Sequence, residues 1–278
     1  MNLALQFNWY PGHIAKAERQ LKEKIKLIDL IIELRDARIP ESSRHKDLPE
    51  WANGKPIISV LNKTDLSDLN KLKTYIKNSE EKIFLLSTKN KNEHLKLLIK
   101  EIEIYADQVS AKFKAKGVLK RPARVLVVGY PNVGKSSLIN LLAKTKKAKV
   151  EDRPGVTRQQ QWVDVKSDLE IKLLDTPGII PTKLYSLDQG VKLAMCNCVS
   201  DQAYDPVEIS ILGMKVIEEQ YPGLIAKYYG VEGELNLENI AVAKKLLRNK
   251  EPDTERAAIK VINDFQDGKF GKLVLDML

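Results

Sequence analysis

Long apolar runs are missing from this chain. No stretch approaches the roughly 20 residues that a membrane span requires, so no membrane partner is expected. The N-terminal segment MNLALQFNWYPGH lacks the basic start and apolar core of a secretory signal, and none is expected. Cysteine is nearly absent. Cys196 and Cys198 form a CxC pair with no His or Cys cluster to complete a metal site, which reads as two buried thiols in a reducing cytoplasm. The most informative gap concerns one sign of charge. From Gln108 to Val150 there is no carboxylate at all, while eleven Lys or Arg occur. Residues 1–180 carry 34 basic and 22 acidic side chains, and the remainder carries 12 and 15. With a net charge of +9 and a pI near 9.2, the chain is expected to meet a polyanion, and nucleic acid fits better than a merely solvated face.

What is present suits a globular protein of two domains. The 278 residues, 43% hydrophobic and 30% charged, can bury a core in either half. Apolar positions at helical spacing predict helices over 13–26, 66–78 and 92–105, and another from Lys135. The runs at 27–34, 57–61, 83–86, 124–128 and 171–174 read as strands, with a loop from Pro40 to Pro49. Strands alternating with helices predict an α/β fold with a mostly parallel, doubly wound sheet. After Pro181 only helices are expected, over 187–199, 207–219, 236–249 and 253–266. The division predicted is 1–182 for the α/β domain and 183–278 for a small all-helical domain.

GYPNVGKS (129–136) matches G-x-x-x-x-G-K-[ST] between an apolar strand and a helix, the setting in which backbone N–H groups wrap phosphates. Asn132, Val133, Gly134, Lys135, Ser136 and Ser137 are the residues set against the nucleotide there. Lys135 is expected to reach the β- and γ-phosphates and Ser136 to ligate Mg²⁺. IKLLDTPG (171–178) ends an apolar strand in Asp-x-x-Gly, which offers Asp175 to the metal and the Gly178 N–H to the γ-phosphate. Between them, Thr157 of RPGVTR is a hydroxyl ligand that would order with the γ-phosphate.

NKTD (62–65) follows a strand and offers a base reader. The Asp65 carboxylate can accept from both guanine N1–H and the exocyclic amino group, donors that adenine lacks in that arrangement. Asn62 can bridge base and loop, and the Lys63 stem can cover the purine. STK (87–89), with Ser87, Thr88 and Lys89, is the companion whose backbone N–H would meet the guanine oxygen. A bland reading also exists, because Thr64 and Asp65 are good helix-capping residues. One oddity stands out: the base reader precedes the phosphate loop.

These five motifs are those of a translation-factor-type GTPase in permuted order. With WYPGHIAKA (9–17), ELRDARIP (33–40), DTERAA (253–258) and DFQDGKFG (264–271), the chain closely resembles the bacterial ribosome biogenesis GTPase A, or YlqF-type, family over essentially its whole length. The resemblance implies a circularly permuted P-loop GTPase domain, with the basic segment 107–123 splicing the old termini and the cut falling just after DTPG. The γ-phosphate sensor then runs directly into the helical domain, so nucleotide state is expected to reposition residues 185–278.

By the same resemblance the chain would be a monomeric, ribosome-associated GTPase of low intrinsic activity, stimulated by the large ribosomal subunit precursor and contacting its rRNA. Its helical domain would touch RNA, although that region is slightly acidic; Lys244, Lys245, Arg248 and Lys250 offer one local patch, and the N-terminal and linker lysines are the alternative. Ile179 stands where many relatives of Ras carry a water-orienting glutamine. The resemblance points instead to His13 of the PGH motif as the catalytic residue; capping or packing of the first helix is the competing role, and Gln159, Gln160 and Gln161 are further candidates. Asn132 occupies the position of an asparagine that ligates K⁺ in a potassium-activated subset. Two rival classes remain at this level. A nucleotide-sensing RNA-binding protein with little hydrolysis fits the same motifs, whereas a P-loop kinase of a small metabolite is disfavoured by Asp65.

Overall fold

In the computed structural model, residues 11–90, 93–117, 121–143, 162–165, 167, 169–174 and 184–276 are described, those at 11–15, 17 and 93 by backbone only. The centre of the molecule is the strand β1 (Leu30–Asp36), buried along its whole length. It pairs in parallel with β2 (Ile57–Asn62) on one side and β4 (Ala123–Val128) on the other. Beyond β2 lies β3 (Ile83–Leu85), and beyond β4 lie β6 (Ile171–Leu174) and the antiparallel edge strand β5 (Trp162–Asp164). The order β3-β2-β1-β4-β6-β5 makes sense once the chain is wrapped from β6 back to β1. Counted from β4, strands then run outward on both sides of a single switch point between β4 and β1, where α/β sheets bind ligands.

Both faces of the central strands are covered, as their unbroken apolar runs demand. Leu30, Ile32 and Leu34 pack with Leu98 and Ile102 of α4 (Glu93–Ala115) and Leu138, Ile139 and Leu142 of α5 (Lys135–Leu142). Ile31, Leu126 and Val128 meet Leu21 and Ile25 of α1 (Pro11–Ile25) and Leu48 and Ala52 of α2 (Leu48–Ala52).

Several boundaries differ from the sequence expectation. The strand expected at 27–34 is shifted, because Leu27 and Ile28 still close the end of α1 through bonds to Lys24 O and Ile25 O. The helix expected at 66–78 is α3 (Leu69–Lys77), which starts after Asp68 accepts from the N–H groups of Asn70 and Lys71. The splice expected as a segment over 107–123 is for its first nine residues a continuation of α4. Ile102, Ala106 and Val109 prolong the apolar stripe, half-buried Phe113 follows at helical spacing, and the helix runs to Ala115, just before Gly117 at positive φ.

The C-terminal region forms α6 (Leu187–Met195), α7 (Pro206–Gln220), α8 (Leu224–Tyr229), α9 (Leu237–Ala243) and α10 (Thr254–Gln266). α8 was not foreseen; it is one short segment bounded by Gly223 and Gly230, both at positive φ. The helix expected to reach 249 stops at Ala243 and gives way to a small hairpin, β7 (Leu247–Arg248) with β8 (Glu251–Pro252), turned by Asn249 and Lys250 at φ 52° and 73°. Cys196 and Cys198 are free thiols in the core. Burial pushes Cys198 up to about 12 and Cys196 well above its usual range. The apolar cluster on the α4 side continues without a break into Met195, Ile209, Ile217, Val261 and Phe265. No helix among the described residues is long and apolar enough to cross a membrane.

Candidate functional site: the base and phosphate loops

Because β1 to β4 run parallel, the loops after β2, β3 and β4 leave from one edge. Asn62, the last residue of β2, joins all three. Its Nδ2 donates to Val133 O at 2.7 Å and to Thr88 Oγ1 at 3.4 Å, and its Oδ1 accepts from the Thr88 N–H at 3.0 Å. The side chain is 1% exposed, so these bonds form away from competing water. Residues 71 positions apart in the chain are thereby stapled into one site.

The phosphate loop is shaped to permit this approach. A Cβ on Gly134 (φ 101°) would lie 2.2 Å from Asn62 Nδ2, and one on Gly129 would lie 2.3 Å from Leu34 O. Lys135 is buried, and its ammonium donates to Gly129 O at 3.1 Å and Tyr130 O at 2.7 Å, arching over its own loop. Val133 is buried beneath. Ser136 and Ser137 are the second and third residues of α5, half-buried at the positive end of its dipole. Asn132, in left-handed backbone (φ 57°), donates through Nδ2 to Asn197 O at 2.8 Å, which ties the loop to the turn after α6.

At the base end, Ser87 Oγ donates to Asp65 Oδ1 at 2.7 Å, fixing the carboxylate's plane and leaving it half-exposed. Asp68 rather than Asp65 caps α3, so NKTD is not the capping turn. Lys89 is exposed at the rim. Lys63 adopts φ 66°, and its ammonium sits 2.9 Å from Asp36 Oδ2.

Asp36 was missed in the sequence. It is fully buried and also receives Arg38 Nε at 3.0 Å and Nη2 at 2.8 Å. Burial acts against its charge, but Arg38 and Lys63 outweigh it and hold the carboxyl far below the usual carboxylate range. Arg38 in turn reaches Phe265 O and Gln266 O, each at 3.4 Å, and lies over the Phe265 ring. These are carbonyls at the end of α10, where the helix dipole favours a cation. The clue was four charges, Glu33, Arg35, Asp36 and Arg38, within and just after a strand otherwise fit for burial.

The C-terminal tail completes the lock. Leu273 N–H donates to Leu66 O, Leu275 N–H donates to Arg38 O, and Asp276 accepts from the Glu41 and Ser42 N–H groups.

Thr157, Gln159, Gln160, Gln161, Asp175, Gly178 and Ile179 lie outside the described residues. His13 has its backbone in the first turn of α1, and its side chain lies outside the description. His45 and His94 are not brought to the site by any described bond. His45 is buried against Trp51, with burial lowering its pKa.

A phosphate loop at the switch point, stapled to a base reader that precedes it in the chain, defines a circularly permuted P-loop GTPase. The chain is 39% identical to ribosome biogenesis GTPase A of Bacillus licheniformis over 95% of its own length and 96% of the relative's, and it belongs to the ribosome biogenesis GTPase A family. The corresponding protein of Thermotoga maritima is 31% identical, covering 96% of this chain and 92% of that one. A family described as 50S ribosome-binding GTPase matches residues 124–226. That match opens at the phosphate-loop strand and leaves the displaced base reader outside it. Among solved structures, GNP-bound YlqF from T. maritima aligns with a TM-score of 0.68 at 25% identity, over 94% of this chain and 97% of that one. Its GDP-bound form aligns at 0.64 and 27% identity, over 93% and 98%. The chain is a GTP hydrolase that binds GTP and GDP.

Proposed function

We propose that this GTPase times a step in assembly of the large ribosomal subunit: bound to GTP it docks on the precursor particle, and hydrolysis releases it. The observation that supports the reading is the Asn62 staple in a chain of this family, which would couple base recognition to phosphate grip. Residues 1–182 would hold the nucleotide and residues 183–278 would relay its state, with rRNA as the polyanion that the basic surplus serves. Working as a monomer in the cytoplasm, the protein would read guanine through Asp65, backed by Ser87, Thr88 and Lys89, and hold the phosphates through Asn132 to Ser137 and Gly178.

Mg²⁺ fits the donor chemistry, since Ser136 lies in the first turn of α5 beside Lys135 and offers a hard oxygen, as Thr157 and Asp175 would. The ion would neutralise phosphate charge. K⁺ would be taken by Asn132 Oδ1, the atom opposite the nitrogen bound to Asn197. His13 would position or polarise the attacking water, and docking on the particle would raise turnover by completing that arrangement.

Sedimentation tests this. With a non-hydrolysable GTP analogue the protein should travel with large-subunit precursors, and with GDP it should stay at the top of the gradient; adding precursors should raise GTP turnover. Equal association in both states, or turnover indifferent to the particle, would leave a nucleotide-sensing RNA binder with little hydrolysis as the better account.

A further inference from the structure

The edge of the sheet opposite the nucleotide loops carries an open cleft of about 330 Å³ between the last turns of α4 and the entrances to β1, β2 and β4. Lys55, Lys112, Lys116 and Arg121 line it, and Asp29 is the one carboxylate in its wall. The two kinds of cation there differ. Lys55 and Arg121 are built into the wall. The Lys55 ammonium donates to Ile28 O at 2.6 Å, and Arg121 donates to both carboxylate oxygens of Asp29 at 2.7 Å while stacking 4.7 Å over the Phe113 ring. Lys112 on the last turn of α4 and Lys116 in the turn just after it are both exposed, with Lys114 exposed between them. Among the described residues no carboxylate pairs with these three.

Like charges four residues apart on a helix repel each other. The helix C-terminus accounts for one or two of these lysines through its dipole. It does not account for their convergence with a fixed guanidinium and an aromatic ring on one concavity. The rival patch at the β7–β8 hairpin is more neutralised, because Arg248 there is paired with Asp253 and Glu255.

We infer that this cleft is the RNA-docking surface of the protein: it takes the phosphodiester backbone, with Lys112 and Lys116 neutralising phosphates and the Arg121–Phe113 pair forming a rigid floor. The inference rests on the reading of RNA as partner and adds where the RNA sits. A concave site suits a ridge of phosphates better than a flat lipid surface. It also lies at the opposite ends of the strands that hold GTP, so RNA and nucleotide can be bound together.

The test uses the full chain and a fluorescent RNA hairpin, titrated at several KCl concentrations. K112E/K116E should weaken binding more than tenfold and K112Q/K116Q by less, and the log–log salt dependence should flatten by about two contacts' worth, at ~0.7–0.9 per phosphate. GTP turnover without RNA should stay unchanged, since neither lysine touches the nucleotide loops. Unchanged RNA affinity in both variants, with loss instead in K245E/K250E, overturns the cleft while leaving RNA as partner. No RNA binding by the unaltered chain, or binding only to anionic vesicles, overturns the RNA reading itself and the cleft with it.

Discussion

Asp65 is held by Ser87 through one oxygen, which leaves the other carboxylate oxygen for the base proposed above. Replacing it with Asn turns an acceptor into a donor at the atom that would face the exocyclic group of guanine. Asp65→Asn should therefore cost GTP about 10⁴ in relative affinity and transfer the preference to xanthosine triphosphate, whose C2 carbonyl accepts from an amide. Competition binding with the two nucleotides reads this directly, and an unchanged preference for GTP removes Asp65 from the base site. At this scale much was legible in the sequence, because motif residues act through chemistry their identity fixes. The Asn62 staple was only half legible. An asparagine bridging base and loop could be foreseen, but its grip on Val133 O depends on Gly134 lacking a Cβ. Asp36 was illegible for a related reason: a buried carboxylate becomes sensible only once Arg38 and Lys63 are known to converge on it.

Among the elements, α4 departs most from expectation. Its first turns were read from their apolar spacing, while the basic segment 107–123 was read as the splice between the old termini rather than as more helix. The lysines occupy its exposed side, Ala106 and Val109 carry the apolar stripe on, and half-buried Phe113 continues it under Arg121. A continuous helix makes Ser110→Pro a sharp test. Proline there removes a helical hydrogen bond and clashes with the preceding turn, which should cost about 3 kcal/mol or more in urea unfolding. A tether would tolerate the change with little loss. Element boundaries elsewhere moved for local causes that sequence spacing cannot rank, such as the Asp68 cap that delays α3. The strand order itself followed from the permuted motif order, since parallel strands with their loops at one edge leave few ways to bring the motifs together.

For the molecule as a whole, the Asp36–Arg38 pair joins the base reader to the end of α10 with both side chains buried. Breaking such a pair strands a charge, at a cost of about 3–5 kcal/mol. Asp36→Asn should thus destabilise the whole chain by that amount at pH 7 and also weaken GDP binding by freeing Lys63. Because the folded carboxyl lies below its unfolded value, the pair's contribution is full above the ordinary carboxyl pKa of about 3.9 and is lost as pH falls further. Urea midpoints should fall on acidification below about pH 4 in the unaltered chain, and this component should be missing from Asp36→Asn. Equal acid limbs in the two proteins would mean that Asp36 carries no special charge. The same crossing of the tail over Leu66 and Arg38 has a consequence for folding, because it joins segments as far apart as Glu41 and Asp276, at a separation of 235 residues. Contacts of such range are closed late, since the entropy of the intervening loop must be spent before they reward it. The segment that carries NKTD should therefore be braced among the last steps of folding, and a break at this seam would loosen NKTD and α10 together.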